Sequence, residues 1–207
     1  MSEVIGLFPT PLMRVERLLD EASVDAYARR IKALQKTKNA KSKLLCHTEI
    51  VDPDAEEQFS RLGNVVHDQL AQFGTVLFGQ ELRWSVKEMW FNVMETGGFQ
   101  SIHAHANSFI SGVLYLTRPH PSSRIVFTKS LGGTDFVFNN FNGKAKVGPY
   151  NGLKWFLPEI SPGDLILFPS YLLHEVPHNQ GGQRLSIAFN AIPDRLESAG
   201  YTIRFSK

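Results

Sequence analysis

The chain has 207 residues, 43% of them hydrophobic, 11% aromatic and 20% charged, which supplies one sizeable core and excludes a disordered or fibrous chain. A formal net charge of +2 does not signal nucleic acid as a partner, and no apolar run approaches the roughly 18 residues of a membrane span. The lone cysteine, Cys46, cannot form an internal disulfide and suits a reducing compartment, while the opening MSEVIGLFPTPLMRVERLL lacks the layout of a secretion signal, so the expected location is cytoplasmic.

In chain order, the first predicted element is an amphipathic helix capped by Ser23, with Tyr27, Ile31 and Leu34 recurring at helical spacing. Lys36, Lys38, Lys41 and Lys43 follow in a Thr/Asn/Ser context and read as a solvated loop. A second helix is expected after Asp52, Pro53 and Asp54, because Phe59, Leu62, Val65, Val66, Leu70 and Phe73 hold one stripe. From about residue 84 the period changes to two: Met89, Phe91 and Val93 alternate with Trp90, Asn92 and Met94. Further strand-like runs lie near 109–117, 124–128, 134–139, 154–157, 164–169, 184–191 and 201–205, separated by Gly, Pro, Asn and Ser clusters. Eight short strands without intervening helices predict an antiparallel sandwich or barrel, covered on one outer face by the N-terminal helices. The expected organisation is one domain, 1–207, with a helical support over 1–75 and a catalytic core over 84–207.

Chemistry concentrates in the second half. His103 and His105 stand at i and i+2, so in extended backbone both imidazoles leave the same face and can reach one metal ion. Pro162-Gly163-Asp164 turns into the run Leu165–Pro169, after which His174 supplies a third imidazole. Pro177–Gly182 reads as a hairpin turn, and the return strand places Leu185, Ile187 and Phe189 on one face and Arg184, Ser186, Ala188 and Asn190 on the other. If helices cover the greasy face, the polar one points inward, where a buried Arg requires an anionic partner. A carboxylate ligand would answer its planar fork, with Ser186 adding a hydrogen bond.

His103-x-His105, Tyr115 in Gly112–Leu116, the distal His174 and Arg184-x-Ser186 together resemble the iron(II)- and 2-oxoglutarate-dependent dioxygenase superfamily. More narrowly, the whole chain is similar to a group of short bacterial and phage members. The likeness rests on Leu7–Pro11, Trp90–Val93, Gln100, Ser111–Val113, Gly163–Leu165, Phe168–Ser170, Arg184–Ile187 and Phe189-Asn190. It implies a mainly β fold with N-terminal helices, a double-stranded β-helix or jelly roll of cupin-like barrel form. It also implies bound Fe(II) and 2-oxoglutarate, with hydroxylation of a substrate coupled to release of succinate and carbon dioxide. On that resemblance His103, His105 and His174 are the catalytic metal ligands. Arg184 with Ser186, Tyr115 and Asn92 would contact the cofactor, and Gln100, Asn107 and Asn190 are further polar candidates. The sequence departs from the superfamily at His105, where an acidic residue is usual. His105 can be a neutral third ligand, can stand aside, or can leave room for a carboxylate from elsewhere.

Two rivals are weighed against this reading. A three-histidine cupin dioxygenase without 2-oxoglutarate fits Gly97 and His103-x-His105, but it lacks the expected downstream glutamate and has no use for Arg184-x-Ser186. A non-catalytic jelly-roll binding module predicts no metal. The expected partners are a small-molecule or peptide substrate and a second copy of the chain in a homodimer, with neither membrane nor nucleic acid among them. Segments 36–48, 76–84 and 129–152 are the least patterned and are expected to select the substrate, with Gly132-Gly133, Asn139-Asn140 and Asn142-Gly143 marking a flap.

Overall fold

The computed structural model describes residues 2–34, 36–39, 44–48, 50–51, 57–129, 140 and 142–205. Helix α1 (Glu21–Ala33) begins earlier than predicted. Asp20, not Ser23, is its cap, because the Asp20 carboxylate accepts from the Ser23 backbone N–H at 2.8 Å and so satisfies an N–H that a cap at Ser23 would leave open. Helix α2 (Glu57–Phe78) buries Phe59, Leu62, Val66, Leu70 and Phe73, whereas Val65, from the predicted stripe, is 38% exposed. Its expected start at Asp52–Asp54 lies outside the described residues.

The strands before residue 100 are β1 (Met13–Val15), β2 (Thr37–Lys38), β3 (Leu45–His47) and β4 (Trp84–Met94). Next come β5 (Gln100–His103), β6 (Ile110–Tyr115), β7 (Val126–Thr128), β8 (Lys154–Phe156) and β9 (Leu165–Pro169). The last are β10 (His174–Val176), β11 (Arg184–Pro193), β12 (Arg195–Ser198) and β13 (Tyr201–Arg204). The lysine-bearing stretch read as a loop therefore contains β2, which pairs antiparallel with β3 just beyond it and continues the sheet from β4. Lys41, Lys43 and the predicted strand at 134–139 lie outside the described residues. Strands β1, β5, β10 and β12 lie outside the runs expected from alternation.

The strands form a seven-stranded antiparallel sheet, ordered β1-β9-β6-β11-β4-β3-β2, and a four-stranded antiparallel one, ordered β5-β10-β7-β8. A separate hairpin joins β12 to β13. This is the mainly β jelly-roll architecture expected. One apolar cluster joins α1 and α2 to the large sheet through Ile31, Leu62, Leu70, Phe91, Leu185, Ile187 and Phe189. A second fills the large sheet's other side with Val113, Tyr115, Ile166 and Phe168, and draws Phe127 and Val176 from the small sheet. The helices thus cover the greasy face of β11 and turn Arg184, Ser186, Ala188 and Asn190 inward.

Two glycines allow close approaches that position this interior. Gly163 has φ of +89°, and a Cβ there would lie 2.3 Å from the Leu19 carbonyl oxygen. The turn it makes delivers buried Asp164, whose carboxylate accepts from Arg14 Nη2 at 2.8 Å, the Arg17 N–H at 2.9 Å and the Ser161 N–H at 3.0 Å. Burial pushes the Asp164 carboxyl up, but these donors outweigh it and hold it below its ordinary range. At Gly112 a Cβ would meet the Phe189 ring at 2.2 Å, so only glycine lets β6 pass beneath that ring.

Candidate metal centre and anion pocket

A cavity of about 650 Å³ opens between the two sheets. Antiparallel pairing of β5 with β10 sets His103 directly opposite His174, and the chain after β5 is held by the His105 N–H donating to the Ser170 carbonyl at 2.9 Å. The ring centroids are 4.3 Å apart for His103 and His174, and 5.1 Å apart for His105 and each of the other two. One ligand nitrogen from each lies within 4.8 Å of the others. His103 Nδ1 sits 2.8 Å from the Ser101 carbonyl and His174 Nδ1 2.9 Å from the Leu172 carbonyl. Those bonds fix the Nδ1–H tautomer and leave Nε2 as the donor, the arrangement of metal-binding imidazoles.

Burial, reinforced by the charge of His103, pushes His105 down to about 4 and His174 down to about 3. Both rings are therefore neutral at pH 7, the form that ligates. The donor set of three imidazoles suits a divalent first-row metal such as iron. Among the described residues no carboxylate joins the three-histidine group. The structure thus brings His105 together with its partners instead of leaving it aside.

Arg184 lines the same cavity and is 3% exposed. Its Nη1 donates to Ser186 Oγ at 3.2 Å, and its Nε is buried without a hydrogen-bond partner. No carboxylate forms an ion pair with it among the described residues. A buried cation in that state calls for an anion. Tyr115 lies behind it and is absent from the cavity wall: the Arg184 guanidinium carbon sits 5.2 Å from the Tyr115 ring centre. Burial pushes the Tyr115 hydroxyl up, with the charge of Arg184 opposing, but no hydrogen bond of good geometry joins the two. Asn92 lines the cavity beside Ser186, its register partner.

Of the other candidates, Gln100 lines the cavity and accepts from Asn39 Nδ2 at 3.3 Å, and Asn190 lies at its opposite end from Arg184. Asn107 is exposed and outside it. Of the segments expected to select substrate, 36–48 contributes Thr37, Asn39, Leu45, His47 and Thr48, whereas 76–84 and the described part of 129–152 contribute nothing to the wall. The sequence reading missed Glu88, which faces the cavity with Trp90. The signal was present: the alternation of Asn92 and Trp90 extends directly to Glu88, which pairs with Asn190 before the register shifts and Ala191 opposes Val86. Alternation fails only one residue further on, at Lys87.

Residues 88–190 match the profile of a family described as "Putative 2OG-Fe(II) oxygenase". No curated protein sequence matches the chain. Among solved structures, HygX from Streptomyces hygroscopicus with nickel and 2-oxoglutarate bound is similar at a TM-score of 0.67 and 13% identity, over 89% of this chain and 83% of that one. A second HygX structure also holds hygromycin B. A Pseudomonas putida prolyl-4-hydroxylase is similar at a TM-score of 0.59 and 19% identity, over 87% and 92%. The epimerase SnoN from nogalamycin biosynthesis gives 0.65 and 12%, over 90% and 80%.

Proposed function

We propose that this chain, which belongs through residues 88–190 to the 2OG-Fe(II) oxygenase family, binds iron through His103, His105 and His174 and hydroxylates a small molecule in the cavity between its sheets. The observation that carries this reading is Arg184, buried and without an anionic partner among the described residues, in the same cavity as three clustered imidazoles. When bound there, iron supplies the redox chemistry that couples decarboxylation of 2-oxoglutarate to succinate with insertion of oxygen into a C–H bond.

The chain's own residues perform the remaining tasks. Arg184 and Ser186 take the cofactor's far carboxylate, and Tyr115 buttresses the guanidinium from behind. Asn92, beside Ser186, offers an amide along the cofactor's length. Ser101 and Leu172 carbonyls hold the imidazoles of His103 and His174 in one tautomer. Phe168, Val113 and Ile125 line the wall and limit water. A small molecule is favoured as substrate by the cavity's volume, and by analogy with HygX, which takes hygromycin B in its own structure. A cupin-type centre without 2-oxoglutarate gives Arg184 nothing to meet.

The test is succinate release by the purified protein with Fe(II), 2-oxoglutarate and a metabolite panel, alongside direct 2-oxoglutarate binding to metal-loaded protein. Substrate-dependent succinate is the expected result. Metal-loaded protein that fails to bind 2-oxoglutarate would overturn the reading.

A further inference from the structure

Beyond the histidines and Arg184, one more charged side chain among the described residues lines the cavity, Glu88. It stands on β4 two residues from Trp90, so both project from the same face. In the β4–β11 register Met94 opposes Arg184 and Glu88 opposes Asn190, which separates the Glu88 end from the Arg184 end by about 20 Å of strand. Trp90 stands between them, its ring centroid 5.8 Å from that of His105.

The Glu88 carboxylate is deliberately held. Its Oε1 accepts from Asn190 Nδ2 at 2.7 Å. Asn190, 2% exposed, is itself oriented because its Oδ1 accepts from Ser111 Oγ at 2.7 Å, and Ser111 Oγ lies 2.9 Å from Ser170 Oγ. One buried amide therefore donates to the carboxylate oxygen, backed by a relay through Ser111 and Ser170 that fixes the amide's orientation. Lys87 Nζ comes no closer than 3.5 Å and donates instead to the Asn107 carbonyl at 3.2 Å. The second oxygen, Oε2, has no hydrogen-bond partner among the described residues. The side chain remains 23% exposed, so it is open to a ligand while fixed in place.

A preorganised carboxylate next to an indole face is suited to a protonated amine or guanidinium. The charge-assisted hydrogen bond and the cation–π contact add, and an anion is repelled. We infer that Glu88, with Trp90, is the specificity anchor for a cationic substrate and fixes which of its C–H bonds lies beside the three histidines. This rests on the oxygenase reading above and names the substrate class it left open.

The experiment uses protein loaded with Zn(II), which is redox-inert, and saturated with 2-oxoglutarate. Amine and guanidine fragments are titrated against neutral and anionic counterparts of similar size by ligand-observed NMR, with pentylamine, pentanol and pentanoate as the simplest trio. Cationic members should bind more tightly than their counterparts in the wild type. Glu88→Gln keeps an acceptor for Asn190 and so preserves the network; it should weaken the cations tenfold or more and leave Zn(II) and 2-oxoglutarate affinities unchanged. Absence of a cation preference in the wild type overturns the inference without any variant. So does equal cation binding by Glu88→Gln, or a loss of metal affinity in it, which would assign Glu88 to the metal. If wild-type protein fails to take 2-oxoglutarate, measured separately by calorimetry, the oxygenase reading fails instead.

Discussion

Arg184 and His105 carry the strongest chemical commitments of any single residues here. Burying a guanidinium at 3% exposure with Nε unpaired is costly in isolation, so the energy must return when an anion arrives. Lysine at this position would keep the charge but lose the planar fork and its second hydrogen bond. Arg184→Lys should therefore lower the apparent affinity for 2-oxoglutarate by roughly tenfold or more, about 1.4 kcal/mol, with metal affinity intact. Calorimetric titration of metal-loaded wild type and variant decides it, and equal affinities would remove the anion-clamp assignment. At His105 the question is whether an imidazole works where an acid is usual. His105→Ala should weaken Fe(II) binding by about tenfold or more, since losing a ligand costs at least as much as losing its supporting partner. His105→Asp should retain the metal. Anaerobic metal titration reads both; wild-type affinity in His105→Ala would reduce the centre to His103 and His174.

Among the elements, β11 does most to connect sequence with site, because it is the strand whose two faces have opposite jobs. Leu185, Ile187 and Phe189 pack under the helices, and Arg184, Ser186, Ala188 and Asn190 line the cavity. That division was legible from alternation alone, as were the α2 stripe and the strand carrying Arg184, whereas the short strands carrying His103 and His174 were not. What was illegible has local causes. An aspartate one turn upstream competed successfully with Ser23 for the α1 cap, and β2 and β3 are stabilised by the β4 edge, not by their own pattern. Val65 shows the limit of a helical stripe, whose margin faces solvent even when its centre is buried. The β6–β11 contact is also exacting: because a Cβ at Gly112 would sit 2.2 Å from Phe189, Gly112→Ala should cost about 1–3 kcal/mol by overpacking. That corresponds to a fall in Tm of several degrees for a chain of this length. Gly182→Ala, with nothing within 4 Å of its added Cβ, is the control and should be close to neutral. Thermal denaturation of both compares them directly, and equal losses would show that the close approach at Gly112 relaxes.

At the scale of the whole molecule, the site is assembled by folding and its ionisable groups record that in the pH dependence of stability. His105 and His174 sit at about 4 and about 3 in the folded protein against an ordinary value of 6.5. The unfolded chain therefore binds protons between pH 6.5 and those values that the folded chain refuses. Stability of the metal-free protein is then full above about pH 6.5 and falls as the pH is lowered towards 4, each histidine contributing a slope of up to about 1.4 kcal/mol per pH unit. Divalent metal binds only where the three imidazoles are brought together, so loading adds stability by mass action, about 2.7 kcal/mol at a free concentration one hundred times Kd. The expected outcome is a metal-free Tm that declines between pH 7 and 5, a higher Tm at pH 7 with Zn(II), and a shallower metal-free decline in His105→Gln, which has one fewer group to protonate on unfolding. Chemical denaturation across that pH range measures the slopes. Identical slopes for wild type and His105→Gln would mean that His105 titrates alike in both states, and would contradict the dry, neutral imidazole on which its role as a ligand depends.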